Sequence, residues 1–406
     1  MNAKMQHSRK WYTCTPVRFT GDHTFFSRDS GLLCKGFQEI GVACKAIMPG
    51  PAMDTDQVAD LIRTDYANLE DPAWWRTLEA EGVVFYGWGS GKYVKIVRAI
   101  KEAGIILVTH MDTAGMLGIL NGPREFAGTL WRVCLGEANS TLVGICRFVL
   151  RLAYGSTIGF IRNDLGRAQH LKQANLIGAI TPIAMERIRK VCRVYGGEAL
   201  AKRVQLVPHP NASYMRYDAA IPKERLVVAV GRWDDAKVKG TDLLLQTSKI
   251  AVERDPELKI EIYGRPNPAM TQWHAGLPNN LQARIQIKGV VPNTEITQGL
   301  QRAKISLCTS LREGYHTVSA EAHCCGCSTV GPDVPEIPSM KWFAAEPYGR
   351  MSTRDAASMA NAIEVEMTAW DKGRREPNQI SRYWTEQLHA PRVAEQILAL
   401  SKTAEQ

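Results

Sequence analysis

The chain has 406 residues, with 50 Lys and Arg against 41 Asp and Glu, a net charge of +9 and 45% hydrophobic residues. At roughly 100–200 residues per domain this length calls for two or three domains, and the apolar content excludes a chain disordered throughout. The most apolar stretch, Leu142 to Ile161, is interrupted by Arg147 and Arg151, each costing about 2.5–3.5 kcal/mol at the centre of a spanning helix, so no integral membrane protein is expected.

Met1 to Lys10 is polar and lacks the apolar core of a signal peptide. The ten cysteines are too sparse for a disulfide scaffold. A cytoplasmic location is the expectation.

In chain order, strands are expected at Trp11–Pro16, Val42–Met48, Val83–Tyr86, Ile105–Thr109 and Leu176–Ile180, with helices at Gly31–Ile40, Lys92–Glu102 and Ile183–Val194. Short β-rich runs alternating with helical patterns are the signature of a parallel sheet covered by helices. The pattern stops over Val207–Lys223, which holds Pro208, Pro210, Asn211 and Pro222. A second series follows: strands at Leu226–Val230, Lys259–Tyr263, Ile285–Lys288, Ile305–Thr309 and Ser328–Val330, helices at Gly240–Asp255, Asn293–Ala303 and Ser319–Cys325. The reading is α/β, two doubly wound Rossmann-like domains: 1–210, then 211–378, with residues 379–406 as a terminal helix.

The second domain opens with a strand that ends at Gly231-Arg232, and Lys239-Gly240 starts the next helix. Ligands of open α/β sheets bind outside the carboxyl ends of strands, and a helix N-terminus there carries about half a positive charge. Arg232 and Lys239 thus suit a diphosphate, or they are solvated cations. Further on, a strand ending at Thr309-Ser310 leads to a loop with Glu313, Gly314 and Tyr315 and a helix with Glu321. The E-x7-E spacing alone is weak, since Glu253 and Glu261 share it; Glu313 and Glu321 differ in bracketing a strand-loop-helix turn.

These residues together resemble a known family. Val230 to Leu245, Gly289 to Val291, Ala303 to Gly331 and Pro335 to Ile337 stand in the order of the motifs of the retaining GT-B glycosyltransferases related to glycogen and sucrose synthases and bacterial envelope hexosyltransferases. The resemblance is strong in the second domain and weak in the first. It implies two domains facing a central cleft, the first holding the acceptor, the second the nucleotide sugar, and a terminal helix crossing back to the first.

By the same resemblance, Arg232 and Lys239 would hold the donor's diphosphate, Glu321 the ribose hydroxyls, and Glu313 would face the donor sugar. Gly231 and Gly314 would belong to the donor site, and the N–H groups of Tyr315, His316 and Thr317 would contact sugar and phosphate. His316 departs from the family's usual glycine. In the first domain Gly21 stands in a looser version of the glycine loop, and His110 stands where the family often contacts the transferred sugar; a connecting loop and a satisfied loop histidine are the plain alternatives. The implied activity is transfer of a hexosyl unit to a glycan or lipid-linked acceptor with retained anomeric configuration, with no metal. A nucleotide-sugar epimerase or hydrolase, drawing on Asp112, His110 and His316, is the second reading, and a binding protein without catalysis the third.

Competing signals are weaker. Gly87-Trp88-Gly89-Ser90-Gly91 fails the dinucleotide fingerprint because Lys92 occupies its last glycine position. Asp54-Thr55-Asp56 lacks the strand that a metal-binding DxD would follow. His323, Cys324, Cys325 and Cys327 read as small buried side chains rather than a zinc site. The charge is uneven: residues 1–210 carry 26 basic and 18 acidic side chains, residues 211–406 carry 24 and 23, and 124–203 alone hold 13 and 5. That basic segment suits anionic membrane headgroups at the inner face of the membrane, or it is a solvated face; nucleic acid is not expected, as no binding module appears.

Overall fold

The computed structural model describes residues 10–19, 21, 25–50 and 58–403. In chain order the main elements are β1 (Lys10–Cys14), α1 (Asp29–Glu39), β2 (Ala43–Pro49), β3 (Leu61–Thr64), β4 (Gly82–Phe85), α2 (Val94–Glu102) and β5 (Ile106–His110). Then come α3 (Pro123–Glu137), α4 (Thr141–Ser156), α5 (Leu165–Gln173), β6 (Leu176–Ala179), α6 (Pro182–Lys202) and β7 (Val204–Leu206). The second series is β8 (Glu224–Val230), α7 (Thr241–Arg254), β9 (Lys259–Tyr263), β10 (Ile285–Gly289), α8 (Asn293–Arg302), β11 (Ala303–Leu307), α9 (Thr317–Cys324), β12 (Ser328–Pro332) and β13 (Gly349–Ser352). Three helices close the chain: α10 (Ala356–Asp371), α11 (Pro377–Leu388) and α12 (Ala390–Thr403).

Two compact units result. The first takes the described residues up to Ala127, Leu150–Ala212 and those from Gln387 on; the second takes Gly128–Val149 and Ser213–Glu386. Residues 128–149, counted with the first domain from sequence, pack with the second unit: Arg132 pairs with Glu336 at 2.5 Å and Glu137 with Arg312 at 2.6 Å.

The first unit is a parallel sheet of order β3-β2-β1-β4-β5-β6-β7. On one face Trp11, Phe37 and Met48 pack with Val393, Ala394 and Ile397 of α12; on the other Val83, Phe85 and Leu107 pack with Ile96 and Ile100 of α2. Each such buried aliphatic or aromatic side chain contributes about 1.5–3 kcal/mol. Helix α1 approaches the start of α12 so closely that a Cβ at Gly36 would lie 2.3 Å from the Ala390 carbonyl oxygen. The start of α6 is fixed by Thr181, whose hydroxyl accepts from the Ala184 N–H at 3.1 Å, with Pro182 in the first turn. It runs past the expected Val194 to Lys202, broken by non-helical backbone at Gly196 and Gly197.

The second unit has the order β10-β9-β8-β11-β12-β13, again parallel. Its buried Trp384 stacks on His323 at 4.7 Å, and Glu366 is held by Arg375 at 2.6 Å in its interior. The α/β expectation of two doubly wound parallel sheets is met. Among the described residues no single helix is long and apolar enough to cross a membrane.

Candidate functional site

In both sheets the strand order reverses beside the first strand: between β8 and β11 in the second unit, between β1 and β4 in the first. At such switch points the loops leave in opposite directions and open a crevice at the strands' carboxyl ends. Of the sequence-expected residues of the second unit, Lys239 and Glu313 meet at this switch point.

After β8 come Gly231 and Arg232. Gly231 has no room for a side chain, as a Cβ would sit 2.9 Å from the Trp233 ring, while Arg232 is exposed. The chain then turns through Gly240, which adopts φ +66° and whose Cβ would meet the Thr309 carbonyl oxygen at 2.2 Å. That close approach brings the loop after β8 onto the loop after β11. The Thr309 hydroxyl donates to the Lys239 carbonyl at 3.0 Å, and the Leu311 N–H to the Val238 carbonyl at 2.7 Å. Arg354, which sequence reasoning did not single out, clamps the same loop by donating to the Ser310 and Thr309 carbonyls at 3.0 and 3.1 Å.

So positioned, Lys239 Nζ meets Glu313 Oε1 at 2.5 Å, and the Ser310 hydroxyl donates to the same oxygen at 2.8 Å. Burial pulls the Glu313 carboxyl up, but the Lys239 cation and the Ser310 hydroxyl help hold it below its ordinary value. Gly314 follows, half-buried; Tyr315 is buried, with its ring edge-on to Phe343 at 5.2 Å. His316 is the N-cap of α9: its Nδ1 accepts from the Ser319 N–H at 3.3 Å and lies 2.7 Å from the Ser319 hydroxyl. Burial lowers it to about 4, so it caps as a neutral ring. Its side chain is therefore turned into the helix, which is why a histidine fits where the family resemblance called for glycine. Thr317 begins α9 and is exposed. Glu321 lies one turn further along, partly buried, and burial pushes its carboxyl up to about 7.

The first unit places its candidates differently. Gly21 has φ +89° and its carbonyl accepts from the Phe25 N–H at 2.9 Å, while its neighbours Thr20, Asp22 and His23 lie outside the described residues, as do Asp54, Thr55 and Asp56. His110 is wholly buried, stacked on Tyr86 at 4.4 Å and 4.9 Å from the His209 ring. Burial lowers it to about 3. It is thus a neutral, buried ring whose two nitrogens have no hydrogen-bond partner among the described residues. The strand's polar group at the crevice is Asp112, bonded to His209 Nε2 at 2.7 Å and to the Trp88 indole N–H at 3.0 Å. Burial raises Asp112, but His209 and Trp88 outweigh it and bring it to about 2.

The competing motifs resolve into packing. Gly91 touches Gly166, where a Cβ would lie 2.6 Å from its Cα, so the glycine-rich turn after β4 serves close packing on α5. His323 points both ring nitrogens at backbone carbonyls, of Cys327 and Phe343, and the Cys327 thiol lies 2.9 Å from the Leu300 carbonyl.

Comparison with known proteins agrees with the motifs. Residues 224–365 match the family described as glycosyl transferases group 1. No curated protein matches the chain significantly by sequence. Among solved structures, HepE of Anabaena in complex with UDP has a TM-score of 0.61 at 12% identity, covering 97% of this chain and 100% of that one. Sucrose-phosphate synthase of Thermosynechococcus elongatus has a TM-score of 0.60 at 15% identity, covering 97% and 99%. The pneumococcal O-GlcNAc transferase GtfA, in complex with UDP and GlcNAc, has a TM-score of 0.61 at 11% identity, covering 98% and 99%. The resemblance read from the sequence motifs is borne out, and the fold is GT-B.

Proposed function

We propose that this chain, a glycosyltransferase of GT-B fold whose residues 224–365 match the group 1 family, moves a hexosyl unit from a uridine diphosphate sugar to a glycan or lipid-linked acceptor with retention of configuration. The observation that supports the reading is the contact of Lys239 and Ser310 with Glu313 at the β8/β11 switch point, with Arg232 just after β8. HepE and GtfA hold UDP, which makes UDP the first donor to test.

In this mechanism the diphosphate lies against Arg232 and Lys239, and the ribose hydroxyls against Glu321. The acceptor oxygen forms its bond to the anomeric carbon on the face from which the phosphate oxygen departs, and the acceptor's proton passes to that leaving oxygen. The two cations stabilise the charge that develops there, a contribution of several kcal/mol. Glu313 holds Lys239 in place through its 2.5 Å contact. No metal is assigned a role, and no side chain is assigned as base. The test is purified protein with UDP-glucose, UDP-galactose and UDP-N-acetylglucosamine, with and without lipid extract: product glycoside is expected, and epimerised or hydrolysed donor without acceptor would establish the second reading instead.

A surface feature favours a lipid-borne acceptor. Helix α4 turns its apolar side outward: Leu142 is 72% exposed, Val149 55% and Leu150 71%, with Ile158, Ile161 and Leu165 exposed just beyond. Arg147, Arg151 and Arg162 are exposed along the same segment. Other basic side chains of the segment lie against protein groups: Arg132 on Glu336, Arg167 on Asp164, Arg187 on Glu125, Arg193 on Glu198, and Arg189 and Lys190 on backbone carbonyls. An apolar face flanked by arginines fits an anionic lipid surface; a second copy packed two-fold on this face would bring arginine against arginine. Cys146, the exposed cysteine among the described residues, lies on this face and accepts an environment-sensitive dye. Vesicles containing anionic phospholipid should blue-shift the dye in wild type but not after Leu142→Asp with Leu150→Asp; a blue shift that persists in the double variant would overturn the membrane reading.

A further inference from the structure

The run Leu311–Glu313 carries the carboxylate that aims Lys239, and it lies between β11 and α9. Arg354 fixes the Thr309 and Ser310 carbonyls just before it, and His316 caps α9 just after it. The run itself belongs to no helix or strand, so contacts from elsewhere must set where Glu313 stands.

Those contacts come from the last turns of α3. The Leu311 side chain lies against Gly136, where a Cβ would come within 2.8 Å of it. Arg312 forms an ion pair with Glu137 at 2.6 Å. The Glu313 N–H donates to the Glu336 carbonyl at 3.2 Å, and the Glu336 carboxylate is paired with Arg132 at 2.5 Å.

The same helix end reaches the loop after β8. Lys237, two positions before Lys239, donates to the Glu137 carbonyl at 3.3 Å and to the Asn139 side-chain oxygen. Glu137 closes α3, where the last carbonyls lack partners within the helix and together carry about half a negative charge. Lys237 and Arg312 are the cations that such an end favours. One helix end therefore touches both loops that supply the Lys239–Glu313 pair.

Two of these ties differ from ordinary surface ion pairs. The Glu336 side chain is 4% exposed and that of Glu137 19%. Exposed pairs contribute little, but a carboxylate this far from water is costly to leave without its cation. The ties are therefore strong enough to fix the loop.

We propose that Arg132 and Glu137 are positioning residues of the donor site: through Glu336 and Arg312 they hold the backbone at Glu313, and so place the carboxylate that aims Lys239. The inference rests on the donor-site reading and adds to it two residues that lie outside every family motif named above. A lysine ammonium is a compact charge whose effect falls with distance, and a misplacement of about 1 Å can cost roughly 10²-fold in rate. Aim matters most for charge that appears only in the transition state, so kcat should suffer more than donor binding.

The experiment compares wild type with Glu137→Gln and Arg132→Met, the latter keeping an apolar stem. Each should lower kcat with the UDP-sugar by about tenfold or more, with the Kd for UDP within about threefold of wild type. Arg132→Lys restores a cation to Glu336 and should keep kcat within about threefold of wild type. A kcat within about twofold of wild type in both Glu137→Gln and Arg132→Met overturns the inference, as does a loss of UDP affinity equal to the loss of kcat. Hydrogen exchange on the full chain without donor, followed on a peptide spanning residues 309–316, separates the proposal from the donor reading. The Leu311 and Glu313 amides should exchange about tenfold faster in both variants, since their bonds open more often. If wild type turns over no UDP-sugar, the donor reading fails while faster exchange still supports the hold of α3 on the loop; unchanged exchange in both variants overturns that hold.

Discussion

Glu313 accepts hydrogen bonds from both Lys239 and Ser310 on a single oxygen, Oε1, at 2.5 and 2.8 Å. Its carboxylate is therefore the fixed point around which the lysine is aimed. Lys239→Ala should cut turnover by about 10²–10³-fold and leave a largely buried carboxylate without its cation. Because Glu313 is held below its ordinary value, the pair's stabilisation is present above that ordinary value and is lost as pH falls through the lower folded one. Without Lys239 the opposing effect of burial gains weight, the folded value rises, and acid loss begins at higher pH. Thermal denaturation of wild type and variant between about pH 3 and 6 reads this shift.

Arg232 is exposed and Lys239 is not, so the two cations separate by stability. Arg232→Ala should lower turnover by about 10²-fold or more while Tm stays within about 2 °C of wild type, since surface substitutions rarely exceed ±0.5 kcal/mol. A variant as active as wild type would remove Arg232 from the site.

Gly240 is required twice, by its φ of +66° and by the Thr309 carbonyl 2.2 Å from any Cβ. Gly240→Ala should cost roughly 2 kcal/mol or more of stability. It should also raise the Kd for UDP, because the β8 and β11 loops can no longer close on one another. Calorimetric titration with UDP checks the second effect.

Glu321 carries a cost in the folded protein. Its value of about 7 lies above the ordinary 4.5, so between those values the folded state binds a proton that the unfolded state has released. Stability accordingly falls as pH rises from about 4.5 to 7, and the penalty is complete above that. Glu321→Gln should gain roughly 1–3 kcal/mol at pH 8, the gain vanishing by about pH 4, while affinity for the donor drops. Urea unfolding at the two pH values, with UDP titration alongside, measures both sides of that trade.

How far the sequence carries can be seen in particular elements. Lys259–Tyr263 was expected as a strand and is β9 residue for residue, because its apolar positions are those a covered parallel strand buries. The edge strand β3 was not expected: Leu61–Thr64 has only partly buried positions, and an edge strand lacks the apolar run that marks a central one. Helix α4 was read only as an apolar stretch with arginines, since its apolar side faces outward and its period does not point to a core. In the second unit the site followed from short motifs, each within a few residues of a strand end. In the first, Asp112 and His209 stand 97 positions apart and meet only through the sheet topology. His110, two residues from Asp112, was singled out by the family resemblance, and the last position of β5 buries it.

Helix α12 supplies Val393, Ala394 and Ile397 to a core whose other members begin at Trp11. During synthesis the first unit must wait, with that face of its sheet uncovered, until the second unit has been made in full. The tail is thus the last piece of the first unit to arrive, and removing it should leave a second unit able to fold beside a first that cannot finish.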